Sequence, residues 1–191
     1  RDNPLKVVMV GSLPTITTFN GLSRSLIRKF WPLISSEMGF LLPEKPPIFL
    51  SLESAQYCLS KIVDPLIDTG YFQTVTVERN RLFSQILDNL NKTALADIPI
   101  DEIAPRLKMS AVENSTMHLA FEQAQECAIK FRTYCLENNL IDFSLNVSLF
   151  RKHVWPIDFC RNYIQARYGA LIVDNLEEDT PFAHELIKDL V

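Results

Sequence analysis

The stretch Gly169-Ala-Leu-Ile-Val-Asp-Asn-Leu-Glu-Glu-Asp-Thr180 decides how this chain is read. Ala170 to Val173 are consecutive apolar residues, bounded by Gly169 and Asp174. Such a run suits a central strand buried on both faces, as in a parallel sheet. Asp174 would then stand at the carboxyl end of that strand. Nucleotide-hydrolysing sheets deliver a carboxylate to this place to hold magnesium, which prefers hard oxygen ligands. The same residues also describe a strand that ends in an acidic cap to a turn. Thr180-Pro181 then offers an N-cap followed by proline at the first helical position. Phe182, Leu186 and Leu190 would line the last helix.

Working upstream, Asp158 lies in a segment (157–166) that reads as helical, preceded by a helix through Phe143, Val147 and Phe150. Asp142 stands where that helix would start and reads as its N-cap. The longest periodic segment is Met117–Glu137, stopped by Asn138-Asn139. Leu82, Ile86 and Leu90 mark a helix over Glu78–Leu90, and Leu52, Ala55, Leu59, Ile62 and Leu66 another, with a break or kink at Pro65. Residues 91–110 are mixed, punctuated by Pro99 and Pro105, and residues 37–49 read as a loop. From Gly21, the residues Leu22, Leu26, Phe30 and Leu33 recur at helical spacing, ending soon after Pro32. Lys6–Val10 and Thr15–Phe19 read as strands. The order is strand, helix, a long helical stretch, then strand, acidic loop and helix, which predicts an α/β sheet domain with a large helical insertion.

Composition bounds the function. The 191 residues suit one domain, or one domain with an insertion, and 47% hydrophobic with 22% charged residues describes an ordinary globular chain. Only 5 glycines argue against glycine-rich phosphate loops. The net charge of −4 gives no global reason to bind nucleic acid, so any such binding needs a local patch. Cys58, Cys127, Cys135 and Cys160 form no C-x-x-C pair and read as reduced thiols of a cytosolic protein. His118, His153 and His184 are equally scattered. No stretch approaches the roughly 20 apolar residues of a membrane span, and the N-terminus carries neither a signal peptide nor an initiator methionine. The expectation is a cytoplasmic fragment of something longer.

Three short motifs in order then carry a resemblance. Asp174-Asn-Leu-Glu-Glu-Asp-Thr180 is similar to the D-E-F-Q-D-T segment of the UvrD/Rep/PcrA family of superfamily-one DNA helicases. Thr18-Phe-Asn-Gly-Leu22, followed by Arg24 and Leu26-Ile-Arg28, resembles that family's T-F-H-[GS]-L motif and its helix. Asn139-Leu-Ile-Asp-Phe143 resembles the L-x-D-F element that returns the chain from a helical insertion to the motor.

The resemblance implies a partial RecA-like P-loop NTPase motor domain from residues 1–45 and 139–191, with a mainly α-helical insertion over 46–138. It implies Asp174 as the magnesium ligand, with Asn175, Glu177 and Glu178 as the other candidate catalytic residues. It implies Thr18, Phe19, Asn20, Arg24 and Arg28 near single-stranded or partly duplex DNA. Lys29 lies beside that cationic stripe. In an intact protein, ATP and magnesium would sit between this domain and a second RecA-like domain of the same chain.

Three departures bear on activity. No G-x-x-x-x-G-K-[ST] occurs, so nothing here cradles the β- and γ-phosphates and the fragment is expected not to hydrolyse ATP alone. Asn175 replaces the family's glutamate, and an amide positions water but does not take its proton at neutral pH. Asn20 replaces histidine. A non-catalytic paralogue, or a helical interaction domain acting as a DNA- or protein-binding scaffold, is the alternative expectation.

Overall fold

A computed structural model describes residues 14–111, 115–178 and 180–190. The expected strand at Lys6–Val10 lies outside them. The first helix, α1, spans Phe19–Ile34. It starts where the Thr18 hydroxyl accepts the Gly21 N–H at 3.1 Å, satisfying one of the free donors of the first turn. That cap is why Thr15–Phe19 is not a strand: Phe19 is already helical, and residues 15–18 form no ladder. The buried stripe of α1 is Leu26, Ile27, Phe30, Trp31 and Ile34. Leu33, expected on that stripe, faces outward.

The chain then forms β1 (Ile48–Phe49), α2 (Leu52–Asp68), α3 (Arg79–Leu95), α4 (Ile103–Ser110) and α5 (Ser115–Glu137). Ser51 caps α2 by accepting the Ser54 N–H, and α2 continues through Pro65. Pro105 sits in the first turn of α4, where its missing N–H costs nothing. Next come β2 (Leu140–Ile141), α6 (Phe143–Leu149), a π-helical turn over Phe150–Val154, α7 (Asp158–Arg167) and α8 (Pro181–Leu190). Asp142 caps α6 as expected, accepting the Ser144 and Leu145 N–H groups at 3.2 and 3.0 Å. Thr180 caps α8 by accepting the Ala183 N–H, with Pro181 opening the helix.

The sheet among the described residues is not where the sequence put it. β1 pairs in parallel with β2, Ile48 beside Leu140 and Phe49 beside Ile141. The expected loop at 37–49 therefore ends in a strand. The Ile48 N–H donates to the Asn139 carbonyl and the Leu50 N–H to the Ile141 carbonyl, both at 2.8 Å. The Asn139 side chain donates to the carbonyls of Leu42 and Lys45, and its backbone takes the left-handed conformation that asparagine tolerates.

Ala170–Val173, by contrast, forms no strand, and Ile172 is 94% exposed. A central strand needs a ladder on both sides, and no described segment supplies one here.

One hydrophobic cluster joins the helices across the expected insertion boundaries. It includes Ile27 of α1, Leu59 of α2, Ile86 and Leu90 of α3, Phe131 of α5 and Phe150 after α6. α3 packs most extensively on α6, so the helices of 46–138 and the flanking segments share a core.

All four cysteines are free; Cys127, Cys135 and Cys160 are buried and Cys58 is partly exposed. Burial pushes the Cys127 thiol up to about 12 and raises Cys135, Cys160 and Cys58 as well, with Lys61 opposing the rise at Cys58, so accessibility is what sets Cys58 apart. An aromatic disulfide reagent at pH 8 is therefore expected to titrate Cys58 quickly and the other three only after denaturant is added. Fast reaction of all four in the native protein would contradict this core.

Candidate nucleic-acid interface

The three motif-bearing segments converge on aromatic rings. Phe19 meets Phe150 edge-to-face at 5.8 Å between centroids and Phe182 at 5.7 Å. Thus the start of α1, the turn after α6 and the helix after the acidic stretch are held together by edge-to-face contacts that favour defined geometry. Phe19 is half-buried in this cluster, so its ring is committed to packing rather than offered to a base. Thr18 is likewise occupied as a cap, although its side chain stays exposed.

Asn20 is oriented by α6. Its side-chain oxygen accepts from Asn146 Nδ2 at 2.7 Å, and Asn146 also donates to Ser23 Oγ at 2.6 Å. Ser23 in turn donates to the Asn20 carbonyl. Ser23 and Asn146 are fully buried, so this polar network fixes α1 against α6. Asp142, 3% exposed, also accepts from the Ser144 hydroxyl and faces Arg132 at 4.0 Å.

The cationic residues behave differently. Arg24 Cζ lies 4.9 Å from the centroid of the Phe49 ring, and Arg28 Cζ lies 5.4 Å from the same ring. Lys29 Nζ lies 4.6 Å from the Tyr163 ring centre, and Arg167 lies over Tyr168. Tyr168, and then Tyr163, push the Arg167 pKa upward. None of these four cations forms an ion pair with a carboxylate among the described residues, whereas Arg79, Arg106, Arg151 and Arg161 all do. Arg28, Lys29, Tyr163, Arg167 and Tyr168 line a groove of about 360 Å³ between α1 and α7. An acidic chain has thus gathered unneutralised cations and aromatic rings on one face.

No protein-family model, curated protein or solved structure matches this chain.

Asp174, Asn175 and Glu177 are exposed, Asp179 lies outside the described residues, and only the backbone of Glu178 is described. Among the described residues no group of three or more His, Cys, Asp or Glu side chains comes together that would hold a metal ion. Asn175 has φ 54°, a left-handed turn conformation that asparagine adopts more readily than glutamate. The turn is tied back to α8 by His184, whose Nε2 lies 2.7 Å from the Leu176 carbonyl.

Phe49, Tyr163, Arg167 and Tyr168 were not among the expected binding residues, whereas Lys29 stood beside the expected cationic stripe. Phe49 was hidden because it comes from a two-residue strand among prolines. The segment Arg161-Asn-Tyr-Ile-Gln-Ala-Arg-Tyr168 did carry a signal, since Tyr163 and Arg167 stand four apart and share a helix face. No described helix is long and apolar enough to cross a membrane.

Proposed function

We propose that this chain is the strand-binding part of a UvrD-like, ATP-dependent superfamily-one DNA helicase or of a degenerate relative. Residues 1–45 and 139–191 would belong to its first RecA-like motor domain and 46–138 to its helical insertion. The observation that carries this is the face of α1. Arg24, Arg28 and Lys29 follow directly on the Thr18-Phe-Asn-Gly-Leu22 motif and, with Arg167, lie on aromatic rings instead of carboxylates. Proteins that track single strands combine cations along the backbone with aromatic platforms for bases. Two guanidinium groups over one Phe49 ring repel each other, and a phosphate between them relieves that repulsion.

Within such a protein, Thr18 and the Asn20 network would fix the start of α1, while Arg24, Arg28, Lys29 and Arg167 would bind phosphates. ATP and magnesium would be held by parts of the motor beyond these residues, with Asp174 contributing one carboxylate. Asn175, as a turn residue, favours a protein in which strand binding has outlasted efficient hydrolysis.

Fluorescence anisotropy of a labelled oligothymidylate tests this. Affinity should fall as salt rises, with a log–log slope of about −0.7 for each phosphate contacted. Arg24→Ala combined with Arg28→Ala should weaken binding about tenfold or more and flatten that slope by about 1.4. Absence of binding at low salt would leave the chain as a protein-interaction scaffold.

A further inference from the structure

The groove between α1 and α7 gathers three cations in one place. Arg28 and Lys29 line it from α1, and Arg167 lines it from the last turn of α7. Thr15, Ser25, Tyr163 and Tyr168 add four hydroxyl groups, and Leu22 and Leu26 add apolar surface. No aspartate, glutamate or histidine stands among these lining residues. Tyr163 packs edge-to-face on the buried Phe30, 5.5 Å between centroids, so the ring beneath Lys29 is held in place. Arg28 also lies over Phe49 beside Arg24, which joins the groove to the face proposed to carry the strand.

We propose that this groove seats the phosphorylated end of a bound strand, a reading that rests on the strand-binding function proposed above. Phosphates inside a strand are diesters, each with a single negative charge. A terminal phosphoryl group carries roughly 1.5 to 2 negative charges at pH 7 and three acceptor oxygens. Three cations held in about 360 Å³ repel one another, and a dianion offsets more of that repulsion than a diester does. Arg167 brings a planar fork that matches phosphoryl oxygens. The surrounding hydroxyl groups donate to oxygens that the cations do not reach.

Other ligands fit less well. A carboxylate brings one charge and two oxygens. A base or a sugar leaves all three cations without an anion. A strand passing straight through places only diesters beside them.

The test uses the full 191-residue chain and an oligothymidylate of about eight residues, labelled on an internal base so that both ends are free. Fluorescence anisotropy compares three forms: hydroxyl at both ends, phosphate at the 5′ end only, and phosphate at the 3′ end only. One phosphorylated form should bind about tenfold more tightly than the hydroxyl form, and the other should gain little. The charged and titratable groups facing the ligand are Arg28 and Lys29 from α1 and Tyr163, Arg167 and Tyr168 from α7 and its end. The phosphoryl group itself loses charge in acid, so the gain should shrink about threefold or more between about pH 7.5 and about pH 5. Arg167→Gln, and Ser25→Glu at an exposed position of α1, should each abolish the gain, and thermal melting checks that both variants are folded. If the hydroxyl form binds but neither end matters, or both ends gain equally, the end site is wrong and strand binding stands. A one-ended gain that survives in both variants places the phosphate elsewhere and overturns the proposal. A phosphoserine peptide that binds more tightly than either phosphorylated strand assigns the groove to a protein partner and overturns it as well. If none of the three forms binds at low salt, both proposals fall.

Discussion

Replacing Phe150 by alanine is expected to lower the unfolding free energy by about 4 kcal/mol. Phe150 is fully buried at the start of the π-helical turn. It touches Phe19 and Phe182 edge-to-face and lies 6.0 Å from Trp155. Truncation removes the transfer free energy of the ring and leaves a cavity that rigid aromatic neighbours fill poorly. Urea unfolding followed by Trp31 and Trp155 fluorescence measures it. The midpoint should fall with little change in slope, because the native surface is nearly unchanged. The loss should also loosen α8 and the start of α1, so strand binding should weaken along with stability. A cost below about 1 kcal/mol would mean that this cluster is not the junction described here.

Asp142→Ala is expected to cost about 3 kcal/mol. It removes the cap of α6, worth about 1 kcal/mol on its own. It also strips the Ser144 hydroxyl of its acceptor and leaves Arg132 facing an empty site. Arg132 still donates to Ser144 at 2.6 Å, which softens the loss of the more distant charge pair. Asp142→Asn should recover part of the stability, because an amide oxygen still accepts from one backbone N–H. Equal losses in the two variants would indicate that the negative charge, rather than the cap, carries the energy.

Where the sequence was legible, a local physical rule was at work. Asp142 and Thr180-Pro181 read as helix starts because capping chemistry is confined to three or four neighbouring residues, and both caps form. The stripe of α3 read correctly because helical period is a local property; in α2, Ala55 and Leu59 are buried as expected, but Leu52 is exposed and Val63 takes a place in the core. The first turn of α1 was misplaced because Thr15–Phe19 has a strand-like composition, which the single hydroxyl of Thr18 overrides. α4 was hidden by Pro105, which breaks helix interiors but not first turns.

The candidate site divides along the same line. Asn20, Arg24 and Arg28 were legible from one motif and its helix. Phe49 reaches the same region from a segment far away in the chain, and only tertiary packing reveals it, whereas Tyr163 and Arg167 carried a helix-face signal that went unread. Ala170–Val173 failed in the opposite sense. Four apolar letters describe a buried strand only when neighbours complete the ladder, and a sequence window does not contain those neighbours.

The pairing of Ile48–Phe49 with Leu140–Ile141 has a kinetic side as well. Closing a loop on the order of 90 residues costs roughly 4 kcal/mol of chain entropy, more than two short strands recover by themselves. The α2–α5 helices must therefore shorten that loop before the strands meet. The parallel pair that the Leu50 N–H extends is then expected to take shape late, after the helices behind it have folded.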